Sequence, residues 1–329
     1  MTPLEKDPIR RFDNQTVDGY DTVIFKNKML QKKKYYGKIL LIGEYTVLSG
    51  SQAMTIPFRR KSGYLRFLKA SSTEEHIKSH DKLDKFCAFL KKMVHHKKIK
   101  TTTIDLARLE SDINRGLYFH SDIPQGYGVG SSGALVASIY DRFGLGKSKS
   151  DKEPVEHKET LADMESYFHG RSSGIDPLSS YMNRPLVFSE DKIEIYQSIK
   201  NMNYHLFLVD SLKKRNAGRM IRLFLDKYRF DSFRKMLNEK LIPANRNAIQ
   251  ALVKGDVRQI QSLLAGISRI QAEYFSEMIP EAIRPFWDIG LRTGKYFLKL
   301  CGSGGGGYTI GFTTIPKLKF SLDLPLIWI

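Results

Sequence analysis

The chain has 329 residues, 41% of them hydrophobic, and 53 Lys and Arg stand against 35 Asp and Glu for a formal charge of +18. That is apolar material for one large domain or two ordinary ones, which excludes a disordered chain. Two cysteines, Cys87 and Cys301, exclude a disulfide framework, and no apolar stretch approaches the roughly 18 residues needed to span a bilayer. The expectation is a globular protein of the reducing cytoplasm, neither secreted nor membrane-bound.

A net positive charge favours anionic partners. Here it is dispersed: "QKKK" at 31–34 and "KKMVHHKKIK" at 91–100 are short clusters without the interleaved aromatics of a single-strand binding surface. They read as solvated faces, and no nucleic-acid partner is expected.

Residues 1–28 are polar and irregular and read as an extension. "KILLIGEYTVL" predicts two short strands around Gly43, and "SGYLRFLKA" continues the β character. Leu83, Phe86, Phe89 and Leu90 fall at helical spacing in "HDKLDKFCAFLKKMVHH", followed by strand-like "TTTIDLARLES". "ALVASIYDRF" is a helix by the spacing of Leu135, Ile139 and Phe143; "GLGKSKSDKEP" is a polar connection, and "ETLADMESYFHG" a helix stopping at Gly170. "PLVF" and "YHLFLVDS" are strands. Residues 217–288 are mostly helical, with "LIP" and "MIP" as breaks. "YFLKLCGSGGGGYTIGF" is strand, glycine run, strand. No fixed-period repeat occurs, and the organisation is α+β.

Two glycine-rich segments stand out. In "IPQGYGVGSSGALVAS", Gly128, Gly130 and Gly133 satisfy G-x-G-x-x-G literally. A dinucleotide fingerprint should leave a buried strand, whereas Pro124 and a polar lead precede this one, and the acidic candidate downstream, Asp151, lies in a polar loop. A phosphate cradle needs converging backbone N–H groups, glycines without a blocking Cβ and a helix N-terminus; "GYGVGSSGA" supplies all three. Ser131 and Ser132 add hydroxyls that suit Mg2+ or phosphate, and they equally suit plain helix caps. In "CGSGGGGY", Gly304–Gly307 form four glycines in a row, a conformational cost that close approach of a ligand or another loop would offset. No Walker P-loop and no protein-kinase signature is present.

Taken in order, "YGKILLIGEYTVLSG", "IPQGYGVGSSGALVAS" and "KLCGSGGGGYTIGF" resemble the three motifs of the GHMP kinases, a superfamily of small-molecule kinases. "MESYFHGRSSGIDP" resembles the helix and loop of the mevalonate kinases within it. The resemblance spans roughly residues 35–312. It implies the GHMP kinase fold: an N-terminal ATP-binding domain like ribosomal protein S5 domain 2, expected over 29–185, and a C-terminal α/β sandwich domain over 186–329, with the active site between them. It implies ATP and Mg2+ as cofactors. Gly126, Gly128, Gly130, Ser131, Ser132 and Gly133 would wrap the phosphates, with Gly304, Gly305 and Gly306 as a floor. Ser132 and Glu165 would hold the metal, Asp176 would be the general base with Lys38 beside it, and Glu44 and Arg215 would touch substrate. The implied partner is a small anionic, hydroxyl-bearing metabolite, mevalonate first, and a homodimer stays open.

The match departs at Tyr35 and Tyr36, where many relatives carry Ala-Pro, at Tyr45, where mevalonate kinases commonly show His, and at Ala217, in place of a Thr hydroxyl. The 17 residues after Phe312 do not read as the expected helix and final strand. Taken singly, Asp176 before Pro177 also suits a turn, Lys38 a solvated strand edge and Glu165 a solvated helix face. His169 reads as a structural residue. The rival functions are phosphomevalonate kinase, a sugar kinase, a non-catalytic nucleotide- or nucleic-acid-binding relative and an NAD-dependent oxidoreductase.

Overall fold

The computed structural model describes residues 33–96, 98–100, 103–145, 154–190, 192–199, 204–316, 318–320 and 324–329. The extension expected at 1–28, Asp151 and most of the polar connection around it lie outside the described residues. Helices and strands are mixed across the rest, around two antiparallel sheets.

The first sheet is organised by one long strand. β1 (Tyr35–Ile42) pairs with β2 (Ala53–Phe67), which also takes β3 (Leu117–Ser121) at its far end and β4 (Leu186–Phe188) at its near end. β5 (Ile193–Ile195) extends it beyond β4. Between β1 and β2 the second expected strand is absent. Gly43, at φ +112°, and Tyr45, at φ 63°, turn the chain into a 3-10 turn over Thr46–Ser49 instead. The Thr46 hydroxyl is buried there, accepting from Asn245 Nδ2 at 3.0 Å.

Helices cover one face. α1 (Glu74–His95) starts where Thr73 and His76 cap one another, and it buries Leu83, Phe86, Cys87 and Leu90. The strand expected in "TTTIDLARLES" is a correction: α2 (Leu106–Asn114) forms because the Asp105 carboxylate accepts from the Arg108 N–H at 3.0 Å and Leu109 and Ile113, four apart, face the core. α3 (Ser131–Phe143) is apolar nearly all round and is buried between the sheet and α5 (Ile175–Met182). α4 (Pro154–His169) lies against both helices and stops, as expected, before Gly170.

The second sheet has the order β7 (Phe297–Leu300), β8 (Tyr308–Thr313), β6 (His205–Asp210), β9 (Leu326–Trp328). The first sheet's last strand ends at Ile195 and the second sheet's first begins at His205. The tail after Phe312 does return a final strand: β9 pairs with β6, and Trp328 packs with Phe207 and Phe320.

This half carries the helices α6 (Ala217–Tyr228), α7 (Asp231–Met236), α8 (Ile242–Lys254) and α9 (Val257–Tyr274). "LIP" is no break. The helix runs through it by widening into a π turn over Leu237–Leu241, which makes room for Pro243, whose ring would otherwise strike the preceding turn. "MIP" is a break, filled by two 3-10 turns before α10 (Arg284–Thr293).

Candidate active site

The first glycine loop alternates. Gly126, Gly128 and Gly130 all sit in the left-handed region, at φ +81°, +80° and +75°, and Gly130 caps the N-terminus of α3. Gly128 and Gly130 are needed twice over. A Cβ on Gly128 would come within 2.7 Å of the Arg215 guanidinium, and one on Gly130 within 3.0 Å of the Lys38 side chain. β1 meets the loop through its backbone, the Lys38 N–H donating to the Val129 carbonyl at 2.9 Å.

The cap reading of the serines fails, because no side chain caps α3. The Ser132 hydroxyl donates to Glu165 Oε1 at 2.9 Å and lies 3.2 Å from His169 Nε2. Ser131 opens the helix beside it, half-buried. Glu165 is no solvated-face residue either: it is 3% exposed, and its second oxygen accepts from Ser172 at 2.6 Å. Burial and the charge of Asp176 push its carboxyl up to about 7, against the two serine hydrogen bonds and Lys38.

Asp176 stands in the first turn of α5, directly against α3. A Cβ on Gly133 would lie 2.7 Å from the Asp176 carbonyl carbon, so only glycine lets the two helices approach this closely. Lys38 Nζ lies 2.9 Å from Asp176 Oδ1, with the Lys38 side chain 5% exposed and that of Asp176 29%. A strand-edge charge would be solvated; this ammonium is buried on a carboxylate. A carboxylate held so, with one side open to solvent, can accept a proton from an alcohol.

The second glycine run closes on protein. Beyond Gly302, which faces the Arg215 guanidinium, a Cβ on Gly304 would strike the Met278 carbonyl, on Gly305 Met220, and on Gly306 the backbone of Lys213–Arg215. The loop 211–216 therefore runs between the two glycine segments. Its Arg215 N–H donates to the Gly126 carbonyl at 3.0 Å and its Lys213 carbonyl accepts from Gly307 at 2.6 Å.

Glu44 is buried and committed. It pairs with Lys299 of β7 at 2.5 Å, and burial pushes its carboxyl up against the pull of that lysine. Tyr45 next to it is folded into the second half, its ring stacked on Phe224 and its hydroxyl donating to the Ser303 carbonyl at 2.5 Å.

No protein-family model and no curated protein matches the sequence. Solved structures do. A mevalonate kinase of L. major in complex with R-mevalonate matches at TM-score 0.59 and 16% identity, over 87% of this chain and 87% of that one. A Streptococcus pneumoniae phosphomevalonate kinase in complex with phosphomevalonate and AMPPNP matches at 0.59 and 14%, over 87% and 92%. A Lactococcus lactis galactokinase complexed with galactose matches at 0.55 and 14%, over 87% and 86%.

The chain has the GHMP kinase fold.

Within that fold, segments far apart in the sequence converge on the N-terminus of α3: Lys38 from β1, Glu165 and His169 from α4, Asp176 from α5, and Arg215 from the loop after β6. His169, which the sequence reading took as structural, and Ser172, which it did not single out, both hydrogen-bond within this cluster. His169 lies four positions after Glu165 on one helix, which puts both on the same face, and that spacing was the available signal. The donor chemistry fits the nucleotide and metal this fold implies. The glycine loop leaves a cradle that side chains would fill, and Ser132 and Glu165 offer two hard oxygens. Among the described residues no group of three or more His, Cys, Asp or Glu is arranged to hold a metal ion.

Proposed function

We propose that the chain is an ATP- and Mg2+-dependent kinase that phosphorylates the hydroxyl of a small anionic metabolite, with mevalonate as the leading acceptor. The observation that carries the reading is the Lys38–Asp176 pair, held at 2.9 Å beside the glycine loop at the start of α3. Backbone N–H groups of the loop and the positive end of α3 suit a triphosphate. Ser132 and Glu165 would hold the cation. Bound Mg2+-ATP supplies the phosphoryl group and neutralises its oxygens.

The chain's own part is positioning and proton transfer. Asp176 would take the proton of the acceptor hydroxyl as that oxygen bonds to the γ-phosphorus of bound ATP and the bridging P–O bond breaks to release ADP, while Lys38, 2.9 Å away, holds the carboxylate in place. The proton leaves to solvent through the exposed side of Asp176. Arg215, wedged at Gly128 and Gly302, is a fixed cation for an anionic group on the acceptor or the phosphates. Mevalonate leads because an R-mevalonate complex is among the matching structures and "SSGID" ends on Asp176 as in that family. With Tyr45 turned away into the second half and Ala217 lacking a hydroxyl, phosphomevalonate and galactose are the acceptors to set against it.

The test is ADP release by purified protein with Mg2+-ATP and each acceptor in turn. Turnover with mevalonate is expected, and Asp176→Asn should lower kcat by about 10²–10⁴-fold while calorimetry finds nucleotide binding unchanged. ATP binding without turnover on any of the three acceptors would sink the reading.

A further inference from the structure

A separate groove of about 790 Å³ lies between α6 and residues 277–284, with Met220 and the backbone of Gly305 in its lining. Its size is that of a small-molecule site. Lys213, Arg219, Arg222 and Arg284 line it, all solvent-accessible. Arg219 and Arg222 stand three apart on one face of α6, and Arg284 faces them from the start of α10, steadied by donation to the Ser276 carbonyl at 3.0 Å. Three carboxylates share the lining: Glu277 pairs with Lys227 at 2.8 Å, Asp226 lies 3.8 Å from Arg229, and Glu281 is exposed, with no ion-pair partner among the described residues. Among the described residues no carboxylate lies within ion-pair distance of Arg219, Arg222 or Arg284.

We propose that this groove is a second anion site, which binds a phosphorylated small molecule through the guanidinium groups of Arg219, Arg222 and Arg284. Planar guanidinium forks match phosphate oxygens two at a time. Asp226, Glu277 and Glu281 along the same lining repel a long polyanion, so the ligand is a compact phosphate or diphosphate ester rather than nucleic acid. The site is also wired to the loops of the first one. Gly305 packs on Met220, and the Lys213 carbonyl accepts from Gly307, so an occupant would rest against the same glycine run whose Gly302 faces Arg215.

The test titrates inorganic pyrophosphate by calorimetry, in EDTA at physiological salt, into wild type, Arg219→Ala/Arg222→Ala, Arg222→Ala/Arg284→Ala and Lys38→Met. The expected result is a pyrophosphate site that weakens at least tenfold in both groove variants, with their melting temperatures unchanged, and persists in Lys38→Met. Equal binding by wild type and both groove variants, loss in Lys38→Met alone, or no pyrophosphate site in wild type would overturn the proposal. Binding is read without turnover, so a chain that transfers no phosphoryl group still gives a clear answer.

Discussion

At the scale of single residues, Gly133 shows how a local rule reverses. Gly→Ala inside a helix ordinarily stabilises by roughly 1 kcal/mol. Here the added methyl meets the Asp176 backbone at 2.7 Å, so Gly133→Ala should destabilise by about 1–3 kcal/mol and, by moving Asp176, lower turnover, as urea unfolding and steady-state rates would record. His169 has a different signature. Its Nε2 steadies the Ser132 hydroxyl, one hydrogen bond worth about 1 kcal/mol. His169→Ala should therefore weaken Mg2+-dependent nucleotide binding about fivefold, leave binding in EDTA and the melting temperature nearly untouched, and be largely restored by His169→Gln. Equal weakening with and without Mg2+ would rule this out. Both residues belong to pairings that sequence could suggest only in part. Gly133 stood inside a visible motif, but what it touches lies 43 positions on. The Lys38–Asp176 contact joins residues 138 positions apart, and only the family resemblance put them side by side beforehand.

Between elements, the buried Glu44–Lys299 pair pins the turn after β1 to β7 of the other sheet. Removing one partner strands a charge in the interior. Lys299→Met should cost about 3–5 kcal/mol in denaturant unfolding, and adding Glu44→Gln should recover most of it. A similarly large loss in the double variant would show that the lysine stem, not the charge, matters. Elements with a strong period were legible: α1, α3, α4 and the strands around the second glycine run all stand where the apolar spacing put them. The errors have physical causes. In "TTTIDLARLES" the β-branched lead outweighed Asp105, whose capping hydrogen bond starts α2. In "LIP" proline was read as a stop, although a π turn can absorb it. After Gly43 the apolar "TVL" suggested pairing, yet the left-handed Tyr45 commits the chain to a turn.

For the molecule as a whole, one buried acid should set a pH dependence. In metal-free protein Glu165 titrates near 7 because burial and Asp176 disfavour its charge, whereas an unfolded glutamate titrates near 4.5. Between those values the folded chain holds a proton that the unfolded chain has released, so stability is full below about pH 4.5 and declines as pH rises through 7, by roughly 3 kcal/mol. Melting in EDTA at pH 5 and pH 8 should show the decline, and Glu165→Gln should flatten it. A wild-type decline that persists unchanged in Glu165→Gln would assign it to other groups. The +18 charge, which at first pointed outward to a partner, is informative in two places: one buried ammonium on Asp176 and three exposed guanidinium groups along one groove.

The position of Arg215 ties two distant segments together. Its guanidinium lies in the space that side chains on Gly128 and Gly302 would need, so the two glycine segments share one packing partner. A shift of that single side chain is therefore felt at both.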